Sequence, residues 1–319
     1  MTALPRSGVC LEDRLLIKEY SEEECSAAIR GENVPHALGF NVVRLCTIPG
    51  IRYHSGFATE LYSLGNLCPE FTRALNARSI TSNIIPDMKE AYEFPYCIWH
   101  PDSASEDTYR DLARRYPQMR YQVGRACAVA GYTDLYHELG LLPEVSIAEE
   151  ARDNQKNGNA IYDAIMASPV KYAVMNDYKR SVDLNNPKVG AHLNGDTAVR
   201  SSLDIKQKHT PPLSNCNNGP DSFSDFPDDY HFNITEDSHV DNYEDEDLSY
   251  SWPDPEVVPL LYYPLPSDLP NVNKDIVILI AAYSGNIDRY VRLRRPDMLL
   301  NEYDCIIRGI FHDTMFAKW

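Results

Sequence analysis

The sequence predicts a mostly α-helical chain: an irregular array of helical hairpins, interrupted by a long acidic, disordered insertion. Three observations predict it. Apolar residues recur at helical spacing in three segments, Tyr121 to Leu142, Asn159 to Tyr178 and Asp275 to Arg295. A turn signal divides each of them into two short helices. Between the second and third lies a stretch rich in Asn, Asp, Ser and Pro with no sustained apolar periodicity. The expected organisation is a helical or mixed region over 1–105, hairpins over 106–180, the insertion over 181–270 and further hairpins over 271–319.

Taken along the chain, Leu15 to Arg30 and Ala58 to Leu64 read as helical, Phe40 to Cys46 as a strand, and Glu106 to Arg115 as a helix. In 122–140, Val123, Cys127 and Ala130 follow helical spacing. Gly131 interrupts them, Thr133 offers a cap, and Leu135 with Leu139 forms a second stripe closed by Gly140. In 160–178, Ile161, Ala164 and Ile165 mark one helix. Ser168-Pro169 starts the next, because Ser suits an N-cap and Pro the first helical position. In 275–295, Gly285-Asn286 makes the division, and Ile287, Tyr290 and Val291 form the stripe that Pro296 ends. Asp288 near the start of that helix and arginines near its end both suit the helix dipole. The insertion, through HTPPLSNCNNGPDSFSDFPDDY, cannot bury enough apolar area to offset an ordering cost of about 1–2 kcal/mol per residue. The run Val257 to Pro266, VVPLLYYPLP, is the exception and is expected to dock in extended form.

Composition restricts the function classes. Hydrophobic residues make up 43%, an ordinary globular share that excludes disorder of the whole chain. Of the formal charge of −17, residues 220–256 carry thirteen acidic side chains and no Lys or Arg, leaving −4 on the remainder. The acidity is local, and the total sign disfavours direct nucleic-acid binding. The opening MTALPRSGVCLEDR lacks the apolar stretch of a signal peptide, and the longest apolar run, Ile276 to Ala282, is too short to span a bilayer. No membrane association is expected, and the cytoplasm or nucleus is the expected compartment. The eight cysteines stand at 10, 25, 46, 68, 97, 127, 216 and 305 with no CxxC pair, so most read as reduced, small buried hydrophobes.

The turn segments align with one another. CAVAGYTDLYHEL over AAYSGNIDRYVRL matches the small pair before the turn, the glycine, the aspartate three later, the tyrosine five later and the leucine eight later. This frame resembles the middle of an ankyrin repeat. The segments RACAVAGYTDLYHELGLLPEV and AAYSGNIDRYVRLRRP are also similar to those of uncharacterised ankyrin-like proteins of filamentous fungi. The Thr-Pro-Leu-His opening of an ankyrin unit is missing. Gln122-Val123-Gly124-Arg125 and Ile276-Val277-Ile278-Leu279 stand in its place. The resemblance implies a protein-binding scaffold, with a role as transcription coregulator among the possibilities. It also implies that the chain stops inside a second helix at Phe316-Ala317-Lys318-Trp319, exposing Phe316 or Trp319 and favouring self-association.

No sequence pattern points to catalysis: there is no GxSxG elbow, Walker loop, strand-borne GxGxxG or HExxH. The nine histidines include no i,i+4 pair, and no cofactor or metal is expected. His231 and His239, among Asp237, Asp241 and Glu244, form the best cation candidate in composition, and an incidental one. Trp99-His100-Pro101 reads as an aromatic anchor closing a loop. Two arginine clusters remain. Arg110, Arg114, Arg115, Arg120 and Arg125 read as a solvated helix face, and Arg289, Arg292, Arg294 and Arg295 stand close to the acidic run that could cover them. The candidate binding surface is therefore Arg114 and Arg115 with Arg289, Arg292, Arg294 and Arg295, and the expected partner is another protein. An enzyme or enzyme accessory on a non-repeat helical fold is the alternative.

Overall fold

The computed structural model describes residues 9–177, 179–195, 255–270, 272, 274–295, 298–299 and 301–319. Among the described residues the chain is mostly helical, with three hydrophobic cores following one another along the sequence.

The first core lies among α1 (Leu11–Arg14), α2 (Glu22–Ile29), α3 (Asn41–Tyr53), a 3-10 stretch over Thr59–Leu67 and α4 (Pro69–Thr81). Ser21 starts α2 by accepting the Glu24 N–H, and three acidic residues fill the first turn, where the helix dipole favours them. Helices α2 and α3 run in the same direction. Ala28 lies against Gly50, and Gly31, one turn further along, lies against His54, one turn further along α3.

The second core contains α5 (Glu106–Arg115), α6 (Arg120–Ala130), α7 (Thr133–Leu139), α8 (Val145–Asp153) and α9 (Gln155–Met166). Helix α6 is buried continuously from Tyr121 to Ala128 and forms the axis of this group. After α9 the chain makes two short antiparallel ladders. In one, β1 (Tyr172–Ala173) pairs with β4 (Lys188–Val189); in the other, β2 (Met175–Asn176) pairs with β3 (Ser181–Val182).

The third core contains α10 (Val257–Tyr262), α11 (Asp275–Tyr283), α12 (Ile287–Leu293), α13 (Glu302–His312) and α14 (Thr314–Lys318). A hydrogen bond from Leu269 N–H to the Leu193 carbonyl, with Asn194 Nδ2 donating to the Arg292 carbonyl at 2.9 Å, fastens it to the second group.

The hairpins at 122–140 and 275–295 form as the sequence indicates, with Gly131 and Gly285 both in the left-handed region at φ 82° and 67°. A third turn of the same kind, Ala28-x-x-Gly31 with φ 68°, stands in the first group, where the sequence shows no repeat register. These turns share a local device, and among the described residues no repeat array is shown. Close approach is the common feature: a Cβ on Gly50 would lie 2.0 Å from the Ala28 carbonyl oxygen, and one on Gly309 would lie 2.1 Å from that of Ala282. Gly309→Ala is accordingly expected to destabilise the fold by about 1–3 kcal/mol by forcing α11 and α13 apart. That loss outweighs the helix-propensity gain of about 1 kcal/mol. Urea unfolding checks it, with the exposed neighbour Arg308→Ala expected to change little.

The fold corrects five expectations. The segment 160–178 is not a hairpin: α9 ends at Met166 and the chain continues into β1 and β2, while Ser168 Oγ donates to the Val170 carbonyl instead of capping a helix. Of the segment Phe40 to Cys46, Phe40 is the extended N-cap of α3 and Asn41 to Cys46 are helical, because contact with α2 overrides the strand preference of paired valines. Thr133 makes no cap bond. The run from Val257 begins as α10 and is extended only after Tyr262, and both 181–195 and 255–270 are built into the body. The acidic stretch up to Asp254, with its histidines, lies outside the described residues, as does Pro296.

Candidate functional site

The arginines named from the sequence separate into three groups with different partners. Arg114 and Arg115 are exposed at the end of α5, where Arg114 meets Asp111 at 3.5 Å and Arg115 meets Asp87 at 2.9 Å. Their neighbour Arg110 ties α5 to α7 by bonding Glu106, Asp107 and Glu138 together. Pairs this exposed contribute little, about 0–1 kcal/mol each.

The second group faces the strap that follows α10. Arg289 donates to the carbonyls of Leu260 and Tyr263, and Arg292 to those of Leu265 and Pro266. Arg295 pairs with Asp275 at 2.6 Å, and Arg294 lies 5.0 Å over the Trp319 ring. Asp268 of the strap accepts from Arg152 and from Tyr162 Oη, so the second helical group holds its far end. Two of the four arginines are therefore occupied by the chain's own main chain, an arrangement that no spacing within the cluster reveals.

Arg125 forms the third group, and it does not belong to a solvated face. It is fully buried on α6, where it donates from Nη1 and Nη2 to Asp177 at 2.6 and 3.0 Å and from Nε to Glu150 at 3.0 Å. Trp99 stacks on it at 4.7 Å, and Tyr96 Oη donates to the same Asp177 carboxylate. Burial works against the guanidinium charge, yet Asp177 and Glu150 hold its pKa well above the usual value. Burial likewise raises the Tyr96 hydroxyl, with Asp177 adding to the effect.

Three carboxylates of the α8 segment each catch a distant piece of chain. Glu144 caps α8 by accepting the Ile147 N–H at 2.9 Å and reaches the N–H groups of Val174 and Met175 at 3.3 Å. Glu149 accepts from Asn194 and Gly195, and Glu150 takes Arg125. Burial pushes the Glu144 carboxyl up to about 7, while the Ile147 N–H and Arg125 oppose the shift. The available signal for this network is an arginine inside a helix with no polar face: a charge there must have buried partners. All its members are enclosed, so the network positions the loop at Tyr96–Trp99, α6, α8 and the ladders. It presents no reacting group to solvent. Trp99 itself anchors a loop as the sequence suggests, and Tyr53 Oη meets His100 at 2.7 Å beside it.

Large apolar side chains reach solvent together in the third group. On α13 and α14, Tyr303, Ile307, Ile310, Phe311 and Met315 are 67%, 37%, 41%, 82% and 58% exposed. A spacing of four, three and one residues puts Tyr303, Ile307, Ile310 and Phe311 on one face of α13, and Met315 follows on α14 beyond the extended Asp313. Phe316 turns inward and is buried against Tyr290, whereas Trp319 is exposed. Among the described residues no group of three or more His, Cys, Asp or Glu side chains could hold a metal ion, and no helix is long and apolar enough to cross a membrane.

Comparison with protein families gives one match: residues 99–208 are similar to the YKP1 C-terminal domain. No curated protein and no solved structure matches the chain. The match spans the helical group α5–α9, the ladders and the buried network apart from Tyr96, and it overturns the ankyrin resemblance, since no ankyrin family was matched. Physically, the small pair and the left-handed glycine that carried the resemblance encode only close helix packing and a turn. Where the second helix of the 160–178 hairpin was expected after α9, the chain forms β1 and β2 instead. The coregulator role inferred from the resemblance falls with it.

Proposed function

We propose that the chain is a non-enzymatic interaction protein, a scaffold or regulator, that binds another protein through the apolar face of α13 and α14. The exposed row Tyr303, Ile307, Ile310, Phe311 and Met315 carries this reading. Contiguous apolar surface of this kind marks interaction sites, and aromatic anchors commonly dominate their energetics. The setting proposed for it is the cytoplasm or nucleus, where buried thiols such as Cys68, Cys97 and Cys127 stay reduced.

The double substitution Ile307→Asp with Phe311→Asp tests the reading. Both side chains are exposed, so folding is expected to be intact by circular dichroism. Partner capture from the native host, followed by titration of the captured protein, is expected to show a loss of affinity of about 30-fold or more. Sedimentation over a concentration series separates a foreign partner from a second copy of the chain. Equal affinity for wild type and double variant would overturn the assignment of this face.

A further inference from the structure

We infer that Cys25 and Cys46 form a thiol pair that closes to a disulfide on exposure to a hydroperoxide and latches α2 onto α3. The geometry follows from the way these helices pack. They run in the same direction with Ala28 on Gly50 and Gly31 on His54. One turn earlier on each helix, three residues before Ala28 and four before Gly50, Cys25 stands opposite Cys46. The glycine contact, which leaves no room for a Cβ, brings the two backbones closer than ordinary helix packing would. Both side chains are buried in the same cluster. The neighbouring Cys46 thiol is the largest influence on Cys25 and lowers its pKa against the opposing effect of burial. Tyr20 lies beside both sulfurs, and its hydroxyl is raised by burial first and by the two thiols after it.

The reaction balances with one hydroperoxide. The Cys25 thiolate attacks a peroxide oxygen, forming an S–O bond as the O–O bond breaks, and the departing hydroxide takes up a proton to leave as water. The Cys46 sulfur then attacks the Cys25 sulfenic acid. The S–S bond forms, the S–O bond breaks, and the hydroxide leaves with the Cys46 proton as a second water. Two thiols lose two electrons and the peroxide gains them. Burial pushes the thiols of Cys68 and Cys127 up to about 12.

The closed loop would be the one between the two helices, which already makes specific contacts. Arg14 donates to the carbonyls of Val34, Pro35 and His36, and Glu24 accepts the His36 N–H at 2.8 Å. Fixing its base fixes the approach of α1 as well.

The test uses the full chain, treated with hydrogen peroxide, blocked with an alkylating thiol reagent under denaturing conditions and digested for peptide mapping. A Cys25–Cys46 cross-linked peptide, lighter by about 2 Da than the sum of its reduced parts, is expected as the main oxidised product and is expected to disappear on reduction. Cleavage within 30–40 by a low level of protease is expected to slow by about tenfold in the oxidised chain and to recover with dithiothreitol. Cys46→Ser is expected to abolish both effects. Full alkylation of Cys25 and Cys46 after peroxide treatment of the wild-type chain would overturn the pair, whether or not the variant folds. A cross-link that forms without slowing cleavage would overturn the latch.

Discussion

Replacing Arg125 with methionine is expected to lower the unfolding free energy by about 3–5 kcal/mol, far more than the loss of any arginine paired at the surface. The side chain is fully buried and is the cation that Asp177 and Glu150 share. Methionine fills much of its length but leaves two enclosed carboxylates without their partner, and each must then be protonated or opened to water. Trp99 also loses the charge stacked on its face. Arg125→Lys is expected to recover only part of the loss, because an ammonium cannot reproduce two parallel bonds to Asp177 together with a third to Glu150. Urea unfolding monitored by far-ultraviolet circular dichroism measures it. A loss below about 1 kcal/mol would mean that water reaches the carboxylates.

The second large effect depends on pH. The Glu144 carboxyl is raised from 4.5 to about 7 in the folded chain, chiefly by burial. In the unfolded chain it gives up its proton near 4.5, while the folded chain retains it up to about 7. The contribution of this group to stability is therefore fully present below pH 4.5 and is lost as the pH rises through about 7. Its size is on the order of 3 kcal/mol. Glu144→Gln removes the titration and is expected to flatten the wild-type slope across this window. Below pH 4.5 it should lower stability by about 1 kcal/mol through a poorer cap on α8, so that the two curves cross as the wild type falls. Unfolding midpoints of the two proteins, compared from pH 4.5 to 7.5, carry the test; parallel curves would show that Glu144 ionises as freely folded as unfolded.

Local signals make two of the three expected hairpins legible. A left-handed glycine between apolar stripes is a property of about ten adjacent residues, so Gly131 and Gly285 can be read directly. Ser168-Pro169 carries an equally good local signal and fails because its surroundings are settled elsewhere. Glu144 takes the N–H groups of Val174 and Met175 from thirty residues away and holds them out of a helix. The same kind of distance conceals the polar core. Arg125 stands in sequence among arginines that are solvated, and nothing near it announces Glu150 or Asp177. The α3 segment departs from expectation for the opposite reason: its valines favour strand locally, but Gly50 and Ala28 together offer a helix contact closer than most. Of the exposed apolar side chains in the third group only Trp319 is legible in the sequence, since helical spacing alone does not reveal which stripe a neighbour covers.

The grip of Arg289 and Arg292 on the strap has a consequence for how this part of the chain tolerates change. Both arginines hold peptide carbonyls, at Leu260, Tyr263, Leu265 and Pro266, and every amino acid supplies that oxygen. Substituting the exposed side chains of Tyr262, Tyr263 or Pro264 leaves each oxygen where it was. Deleting one residue between Leu260 and Pro266 shifts the carbonyls on one side of the cut by about 3.5 Å, more than a hydrogen bond can follow. The strap is thus permissive to spelling and strict about length: its information resides in the spacing of its peptide groups.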